Sequence, residues 1–421
     1  MEAPIFIGEL EITQPITGIE LPERPDGRPY TDVQLLVRLG HVPVGYAMVE
    51  PTTLDPAAVA RQVWSQLSAA INDQLSWEGL PALDSLPASG IPHREVPDQA
   101  AGEPGDYPMV SVVVCTRDRP ESIITALTGL TSLRYPSFEI VVVDNAPTSD
   151  RTRDAILARF SGDPRVRYVR EPRPGLSRAR NRGVAEASAE IVAFTDDDVR
   201  VDPWWLDGIV RGFGASAETS CVTGLIATAA LENSVQLYFH LREGWGTSCQ
   251  RRVFDLGDNR DDSPLYPYSP GIFGAGANFA MTRTALKELG GFDEALGAGT
   301  ISGGGEDLDM FMRVILGGHR LVYEPSAIVW HFHRTDLAEL ARQMWSYGTG
   351  CTAALTAIAL KRPRSRLELA PKVALGLLRL LTLSERVVGN HTVPTGLMRR
   401  EIGGLFVGPW LYLKARRAVR E

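Results

Sequence analysis

Between residues 109 and 198, short apolar runs alternate with segments that have helical periodicity. The runs at 110–114, 139–143 and 190–195 lack the polar alternation of half-exposed strands, so each is predicted to be a strand buried on both faces. Helical patterns at 120–130, 150–160 and 177–187 separate or follow these strands, and a short strand is predicted at 166–169. This alternation predicts a mainly parallel α/β sheet with helices on both faces.

The flanking segments have different patterns. Residues 29–50 alternate apolar and polar positions, and a helical stripe follows Asp55 and Pro56, so we predict a small β-rich module over residues 1–78. Six prolines fall within residues 79–108, which we interpret as an extended linker. We place the α/β domain at 109–335 and a helical C-terminal extension at 336–421.

Composition excludes several classes of protein. The chain has 51 acidic and 43 basic residues, and its net charge of −8 disfavours a nucleic-acid-binding protein. Four cysteines without a CxxC spacing argue against a disulfide scaffold and fit a reducing compartment. No signal peptide and no run of about 18 to 20 apolar residues is apparent, so we expect a cytoplasmic protein.

The last 61 residues differ from the rest in charge. Residues 361–421 contain 13 Lys and Arg against 4 Asp and Glu. Basic amphipathic helices of this kind can lie on an anionic membrane, here the inner face. The alternative is that the helices only pack on the α/β domain with their arginines outward.

Polar residues stand at the ends of the predicted parallel strands, where ligands bind in open α/β sheets. Asp196, Asp197 and Asp198 end one strand, and their adjacent carboxylates suit a hard divalent cation, Mg²⁺ or Mn²⁺. A solvated acidic turn is the alternative. Asp144 ends another strand and could bind a base or ribose, or could simply form a turn with Asn145.

Two later motifs also suggest chemistry. Glu306 and Asp307 follow three glycines and open a helix, where a carboxylate can act as a general base or merely favour the helix dipole. His331 and His333 lie on one side of an extended segment, and one of them could complete a metal shell. Several arginines between 170 and 182 surround a predicted helix N-terminus, which favours phosphate.

The order of these motifs identifies a family. From Val110 to about His333 the chain resembles the family 2 glycosyltransferases, which have the GT-A fold and invert the anomeric carbon. The segments that match are 112–120, 141–145, 175–183, 194–198, 290–294 and 305–307. The resemblance implies a GT-A sheet and a divalent metal that helps to bind a nucleoside-diphosphate sugar.

The resemblance also implies residue roles. The donor-binding residues would be Thr116, Arg117, Asp144, Arg180, Asn181 and Asp197. The metal ligands would be Asp196, Asp198 and His331. Asp307 would be the catalytic base, Glu306 beside it would hold the acceptor, and Asn278 would lie on the acceptor side.

We therefore expect an inverting glycosyltransferase that takes a UDP-, dTDP- or GDP-linked sugar to an acceptor hydroxyl. A sugar nucleotidyltransferase is the first alternative, although residues 116–120 lack the glycine-rich loop that a triphosphate would need. An inactive nucleotide-sugar-binding relative is the second, and the presence of Asp198 and Asp307 argues against it.

Overall fold

The computed structural model describes residues 4–92, 107–243, 248–383 and 395–420. The strands are β1 Ile5–Glu11, β2 Asp32–Leu39, β3 Val42–Val49, β4 Val110–Thr116, β5 Phe138–Asn145, β6 Val166–Glu171, β7 Ile191–Asp196, β8 Val199–Val201, β9 Thr219–Thr228, β10 Arg252–Phe254, β11 Asn278–Thr282 and β12 Arg320–His331. The helices are α1 Pro56–Trp77, α2 Pro120–Thr131, α3 Arg151–Phe160, α4 Leu176–Glu186, α5 Trp205–Gly214, α6 Ser234–Glu243, α7 Arg283–Glu288, α8 Glu306–Leu316, α9 Leu337–Lys361, α10 Ser365–Leu383 and α11 Thr395–Arg420.

Nine strands form the central sheet in the order β10-β12-β9-β11-β7-β4-β5-β6, with β8 paired to β12. Strands β6, β5, β4 and β7 are parallel, and so are β9 and β12. Strand β11 runs antiparallel between β7 and β9. This mixed, mainly parallel sheet with helices on both faces confirms the predicted GT-A fold class.

Both faces of the sheet are buried, which explains the unbroken apolar runs in the sequence. Val112 and Val114 of β4 pack on one face with Ile123 and Leu127 of α2. Val113, which points to the other face, packs in a second cluster with residues of α4 and α8. A strand covered on both faces gains from apolar side chains at every position.

The N-terminal sheet has the order β1-β2-β3, and α1 packs on it. The paired strands β2 and β3 and the helix capped by Asp55 were predicted, and the Asp55 carboxylate accepts a hydrogen bond from the Ala58 amide. Strand β1 was not predicted; it pairs parallel to β2. Arg38 of β2 donates to Asp202, 2.6 Å away, and so ties this sheet to the central domain.

The predicted linker lies partly outside the described residues, since 93–106 are not among them. The domain boundaries therefore stay predictions. Residues 231–270, a long segment rich in Gly, Asp and Pro, contain helix α6 and strand β10. Residues 244–247 of that segment lie outside the described ranges.

Helices α9 and α11 pack closely against each other. A Cβ on Gly348 of α9 would clash with the Glu401 carbonyl oxygen, and one on Gly404 of α11 would meet the backbone of α9. The glycines of the two helices therefore allow their backbones to approach closely. Across the described ranges, no helix combines the length and the apolar character that crossing a bilayer requires.

Candidate active site

Register places the predicted polar residues at one edge of the sheet. Thr116 at the end of β4 is paired with Asp144 of β5, and Cys115 is paired with Asp196 of β7. A cleft of about 670 Å³ opens beside this edge. Six of the predicted site residues line it, namely Arg180, Asp196, Asp198, Glu306, Asp307 and His331.

Arg180 of α4 lies at the base of the cleft and is almost fully buried. Its Nη1 donates to Glu306 Oε1 at 2.9 Å, and its Nη2 donates to the Gly276 carbonyl at 2.9 Å. The same Nη2 lies 3.6 Å from Asp196 Oδ1. One guanidinium thus holds together carboxylates from a strand end and a helix start.

The acidic side chains around Arg180 have raised pKa values. Burial raises the pKa of Asp196 to about 7. The positive charge of Arg180 acts against this rise, and the negative charge of Asp198 adds to it. Burial and the neighbouring charge of Asp307 raise the pKa of Glu306 to about 7. Both carboxyl groups therefore bind a proton more readily than exposed carboxyl groups do.

Asp307 stands in the first turn of α8, one residue beyond Glu306. Its Oδ2 accepts a hydrogen bond from the Gly276 amide and its Oδ1 accepts one from the Leu308 amide, each at 2.8 Å. A carboxylate has about four acceptor positions, so both oxygens can still accept a proton from a bound group. Backbone amides thus fix a carboxylate at the surface of the cleft.

Gly305 allows α8 to begin at this point. Its φ is +88°, and a Cβ there would clash with the carbonyl oxygen of Gly350 in α9. Glycine adopts this left-handed conformation without the penalty that a Cβ imposes. Gly305 is therefore needed for close packing against α9 as well as for the left-handed turn.

Asp197 and Asp198 point to different surroundings. Asp197 is buried and accepts hydrogen bonds from Thr116 Oγ1 at 2.6 Å and from Arg119 Nη1 at 3.0 Å. Asp198 lines the cleft, and Arg119 and Arg334 each donate to its Oδ2 at 3.4 Å. Thr116 and Asp197 are therefore hydrogen-bonded to each other, whereas Asp198 faces the cleft.

Asp144 is fully buried at the end of β5. Its Oδ2 accepts a hydrogen bond from the Tyr168 hydroxyl at 2.9 Å, while its Oδ1 has no partner among the described residues. Burial raises the pKa of this carboxyl group. Arg117, predicted nearby, is about half exposed and lies 3.9 Å from Asp118, outside the cleft lining.

Three histidines form a buried chain of hydrogen bonds that starts at the cleft. His331 Nδ1 lies 3.1 Å from His333 Nδ1, and His333 Nε2 lies 3.0 Å from Thr228 Oγ1. Thr228 Oγ1 in turn lies 2.8 Å from His240 Nδ1. Burial lowers the pKa values of all three histidines, that of His333 to about 3, so the chain is neutral and fixes the orientation of His331.

Six predicted site residues do not line the cleft, namely Thr116, Arg117, Asp144, Asn181, Asp197 and Asn278. Two of them are asparagines whose side-chain amides are hydrogen-bonded within the protein. Asn278 is fully buried; its Oδ1 accepts from Trp205 Nε1 at 2.8 Å, and its Nδ2 donates to the Leu225 and Ala327 carbonyls at 2.9 and 2.7 Å. Both N–H groups and the oxygen of this amide are hydrogen-bonded within the protein, and the expected acceptor-side role stays a prediction.

The second of these residues is Asn181. Its Nδ2 donates to the Phe292 carbonyl at 2.9 Å, and its Oδ1 accepts from the Phe292 amide at 2.8 Å. The Asn181 side chain therefore holds the backbone of Phe292 against α4 through two hydrogen bonds. One N–H of the amide has no bond of its own among the described residues, so the expected donor contact stays a prediction.

The predicted metal ligands fit a cation that shares its shell with a bound phosphate. Asp196 and Asp198 keep 35% and 25% of their side-chain surface exposed, and carboxylate oxygens suit Mg²⁺ or Mn²⁺. Within residues 4–92, 107–243, 248–383 and 395–420, no three His, Cys, Asp or Glu side chains gather closely enough to hold a metal alone. Mg²⁺ commonly takes one or two carboxylates plus substrate phosphates, which matches this arrangement.

Some residues of the cleft escaped sequence analysis. Arg119 and Arg334 flank Asp198, and Ser346, Tyr347 and Cys351 of α9 line the far part of the cleft. Arg334 directly follows the His331–His333 motif, and that adjacency was the only signal available. No sequence motif marks the α9 residues as part of the site, because they reach the cleft only through the packing of α9 in the folded structure.

Known proteins resemble the part of the chain that contains most of the central sheet. Residues 111–290 match the sequence model of Glycosyl transferase family 2. The pre-mycofactocin glycosyltransferase of Mycobacterium tuberculosis is 27% identical over 263 residues, which cover 62% of this chain and 48% of that protein. The chain thus spans about half the length of this relative.

More distant similarities are also found. The polypeptide N-acetylgalactosaminyltransferase 11 of Xenopus tropicalis is 27% identical over 259 residues, covering 58% of this chain and 42% of that protein. A mannosyltransferase from Pyrobaculum calidifontis, solved with GDP-Man and Mn²⁺, is 19% identical and covers 75% of each chain with a TM-score of 0.46. The match to Glycosyl transferase family 2 covers residues 111–290, the part of the chain that carries Arg180, Asp196 and Asp198 of the cleft.

Proposed function

We propose that the protein transfers a sugar from a nucleoside-diphosphate donor to an acceptor hydroxyl, with inversion and with help from Mg²⁺ or Mn²⁺. One observation supports this above all: Asp307 lines the same cleft as Asp196 and Asp198. A carboxylate that can accept a proton and carboxylates that can hold a cation thereby face one volume of about 670 Å³, which is large enough for a nucleotide sugar.

Asp307 is proposed to act as the general base. As the acceptor oxygen attacks the anomeric carbon, its proton passes to an Asp307 oxygen, and the bond from that carbon to the leaving phosphate oxygen breaks. The nucleoside diphosphate leaves with the bonding electrons. Glu306 is held by Arg180 at 2.9 Å and serves to position the site, so a single displacement with inversion is expected.

The donor is proposed to bind along the ends of β4, β5 and β7. A bound metal would neutralise the diphosphate leaving group, and Asp196, Asp198 and His331 are the residues that would hold it. Asp144 Oδ1, which is buried and has no partner in the described residues, would accept a hydrogen bond from a donor group such as a base N–H. Arg117 would contact the nucleotide, whereas Thr116 and Asp197 would position the strand end.

A panel of nucleotides tests the proposal. Isothermal titration calorimetry with UDP, dTDP, GDP, CDP and ADP, each with and without Mn²⁺ or Mg²⁺, should show metal-dependent binding of one diphosphate. Asp198→Ala should abolish the effect of the metal, because Asp198 faces the cleft. Asp154→Ala, on the exposed outer side of α3, is the matched control and should bind like the original protein.

The same panel separates the alternatives. Preferential binding of a nucleoside triphosphate would contradict the proposal and favour nucleotidyl transfer. Metal-dependent diphosphate binding without release of diphosphate from any sugar nucleotide would favour an inactive relative. The donor that is cleaved would identify the base and the sugar.

A further inference from the structure

The outer face of α11 exposes large apolar side chains. Phe406, Trp410 and Leu413 are 70%, 59% and 43% exposed. Their spacing of four and then three residues places them along one side of the helix. Three such side chains in a row form a contiguous apolar patch, which is uncommon on a surface that contacts only water.

The opposite side of α11 is fixed by packing. Leu397, Tyr412 and Ala415 are buried, and Gly404 and Gly408 approach the backbone of α9 so closely that a Cβ on either would clash. The helix cannot rotate to bury its apolar stripe without losing these contacts. The patch is therefore a permanent outward feature of the described structure.

Basic residues share the outward side. At 100° per residue, Arg399, Lys414 and Arg417 fall in the same arc of about 100° as the apolar stripe. Lys414 Nζ lies 5.3 Å from the centre of the Trp410 ring, as expected where a cation and an indole are exposed together. We call the six residues Arg399, Phe406, Trp410, Leu413, Lys414 and Arg417 the outer face of α11.

We propose that the outer face of α11 docks on an anionic lipid surface. Aromatic and leucine side chains between basic residues are the pattern of helices that lie in the plane of a membrane interface. The bilayer would accept the apolar stripe, and anionic headgroups would pair with the three cations. Two copies of this face would instead bring like charges together, which makes a second copy of the chain the poorer occupant.

Docking of this face would keep the cleft close to the membrane. Glu401, on the packed side of α11, lines the cleft together with Tyr347 and Cys351 of α9. One helix diameter, about 10 Å, therefore separates the lipid-facing side from the cleft wall. The inference rests on exposure and charge, and it does not depend on the transfer chemistry.

Vesicle co-sedimentation of the full chain tests the inference. With vesicles of phosphatidylcholine and phosphatidylglycerol at low salt, the protein should pellet; with phosphatidylcholine alone it should remain largely in solution. Raising the salt concentration should weaken binding, because charges near a membrane surface are screened. Failure to pellet with the anionic vesicles at low salt would overturn the inference.

Two pairs of variants separate the contributions. Phe406→Ser with Trp410→Ser should lower the partition coefficient more than about tenfold, since both side chains would otherwise enter the interface. Lys414→Gln or Arg417→Gln should lower it about fivefold each. The matched controls are Trp77→Ser, which is 70% exposed on α1, and Arg61→Gln, also exposed on α1; both should bind like the original protein.

Stability and self-association are measured alongside. The thermal unfolding midpoints of all variants should match the original protein, because the substituted side chains are exposed. Sedimentation velocity should show the same oligomeric state before and after substitution of Phe406 and Trp410. A dimer that dissociates in this variant, or equal vesicle binding by variant and control, would contradict the lipid assignment.

Discussion

The buried guanidinium of Arg180 donates to the Glu306 carboxylate at 2.9 Å. Arg180 comes from the middle of α4 and Glu306 from the start of α8, and both side chains are buried, with exposures of 3% and 6%. Removing one partner leaves the other charged and without compensation, which is costly in a protein interior. This pair is therefore expected to support the site and the stability of the fold at once.

Arg180→Met should lower the free energy of unfolding by about 3 to 5 kcal/mol, because Glu306 and Asp196 would lose their shared cation. Arg182→Met, on the exposed side of the same helix, should change it by less than about 1 kcal/mol. Urea unfolding followed by circular dichroism measures both values. Similar losses in the two variants would contradict the role assigned to Arg180.

Asp307→Asn should reduce turnover about 10²- to 10⁴-fold, because an amide cannot accept the acceptor proton. Binding of the nucleoside diphosphate should change little, since the asparagine can still accept a hydrogen bond from the Gly276 amide. Calorimetry measures the binding and release of diphosphate measures turnover. An active Asp307→Asn enzyme would eliminate Asp307 as the base.

Gly305→Ala should destabilise the protein much more than Gly318→Ala. Both glycines have positive φ values, +88° and +83°, so both variants incur the strain of a left-handed alanine, about 1 to 2 kcal/mol. Only a Cβ at position 305 would also clash with the Gly350 carbonyl, whereas position 318 is open. Denaturant unfolding compares the two, and equal losses would show that α9 yields to the added methyl group.

Thr228→Val should weaken metal-dependent diphosphate binding about tenfold while leaving metal-free binding unchanged. The substitution removes the hydroxyl that joins His333 to His240, and outer hydrogen bonds of this kind typically contribute 10- to 100-fold to metal affinity. Thr125→Val, on the surface of α2, is the control. Parallel losses with and without metal would indicate a purely structural role for Thr228.

Glu139 should make stability depend on pH. Burial alone would raise its pKa, but hydrogen bonds from Ser188 and Ser111 outweigh burial and hold the pKa below its usual value of 4.5. A carboxylate with a lowered folded-state pKa contributes stability above its unfolded pKa and loses it as pH falls through the folded pKa. Acid unfolding below about pH 5 should therefore be steeper in the original protein than in Glu139→Gln.

Sequence alone determined the central architecture, because parallel strands buried on both faces require unbroken apolar runs and leave their polar residues at the strand ends. That rule located Asp144 and Asp196, and the family motifs located Arg180 and Asp307. The alternation of apolar and polar residues predicted β2 and β3, and the apolar stripe after Asp55 and Pro56 predicted α1. Strand β1 was not predicted, since it pairs with a strand that is distant in sequence and has no turn signal before it.

Only the tertiary structure decided which polar side chains face the cleft. Asn278 and Asn181 were both predicted to lie at the site, yet neither lines the cleft, and the amide of each is hydrogen-bonded within the protein. Arg334 and α9 reach the cleft because β12 delivers the chain to it and α9 then folds back over α8. Motifs predict which residue types lie near a site. Which of these side chains can bind a ligand depends on the hydrogen bonds they already make and on the segments that the fold brings next to them.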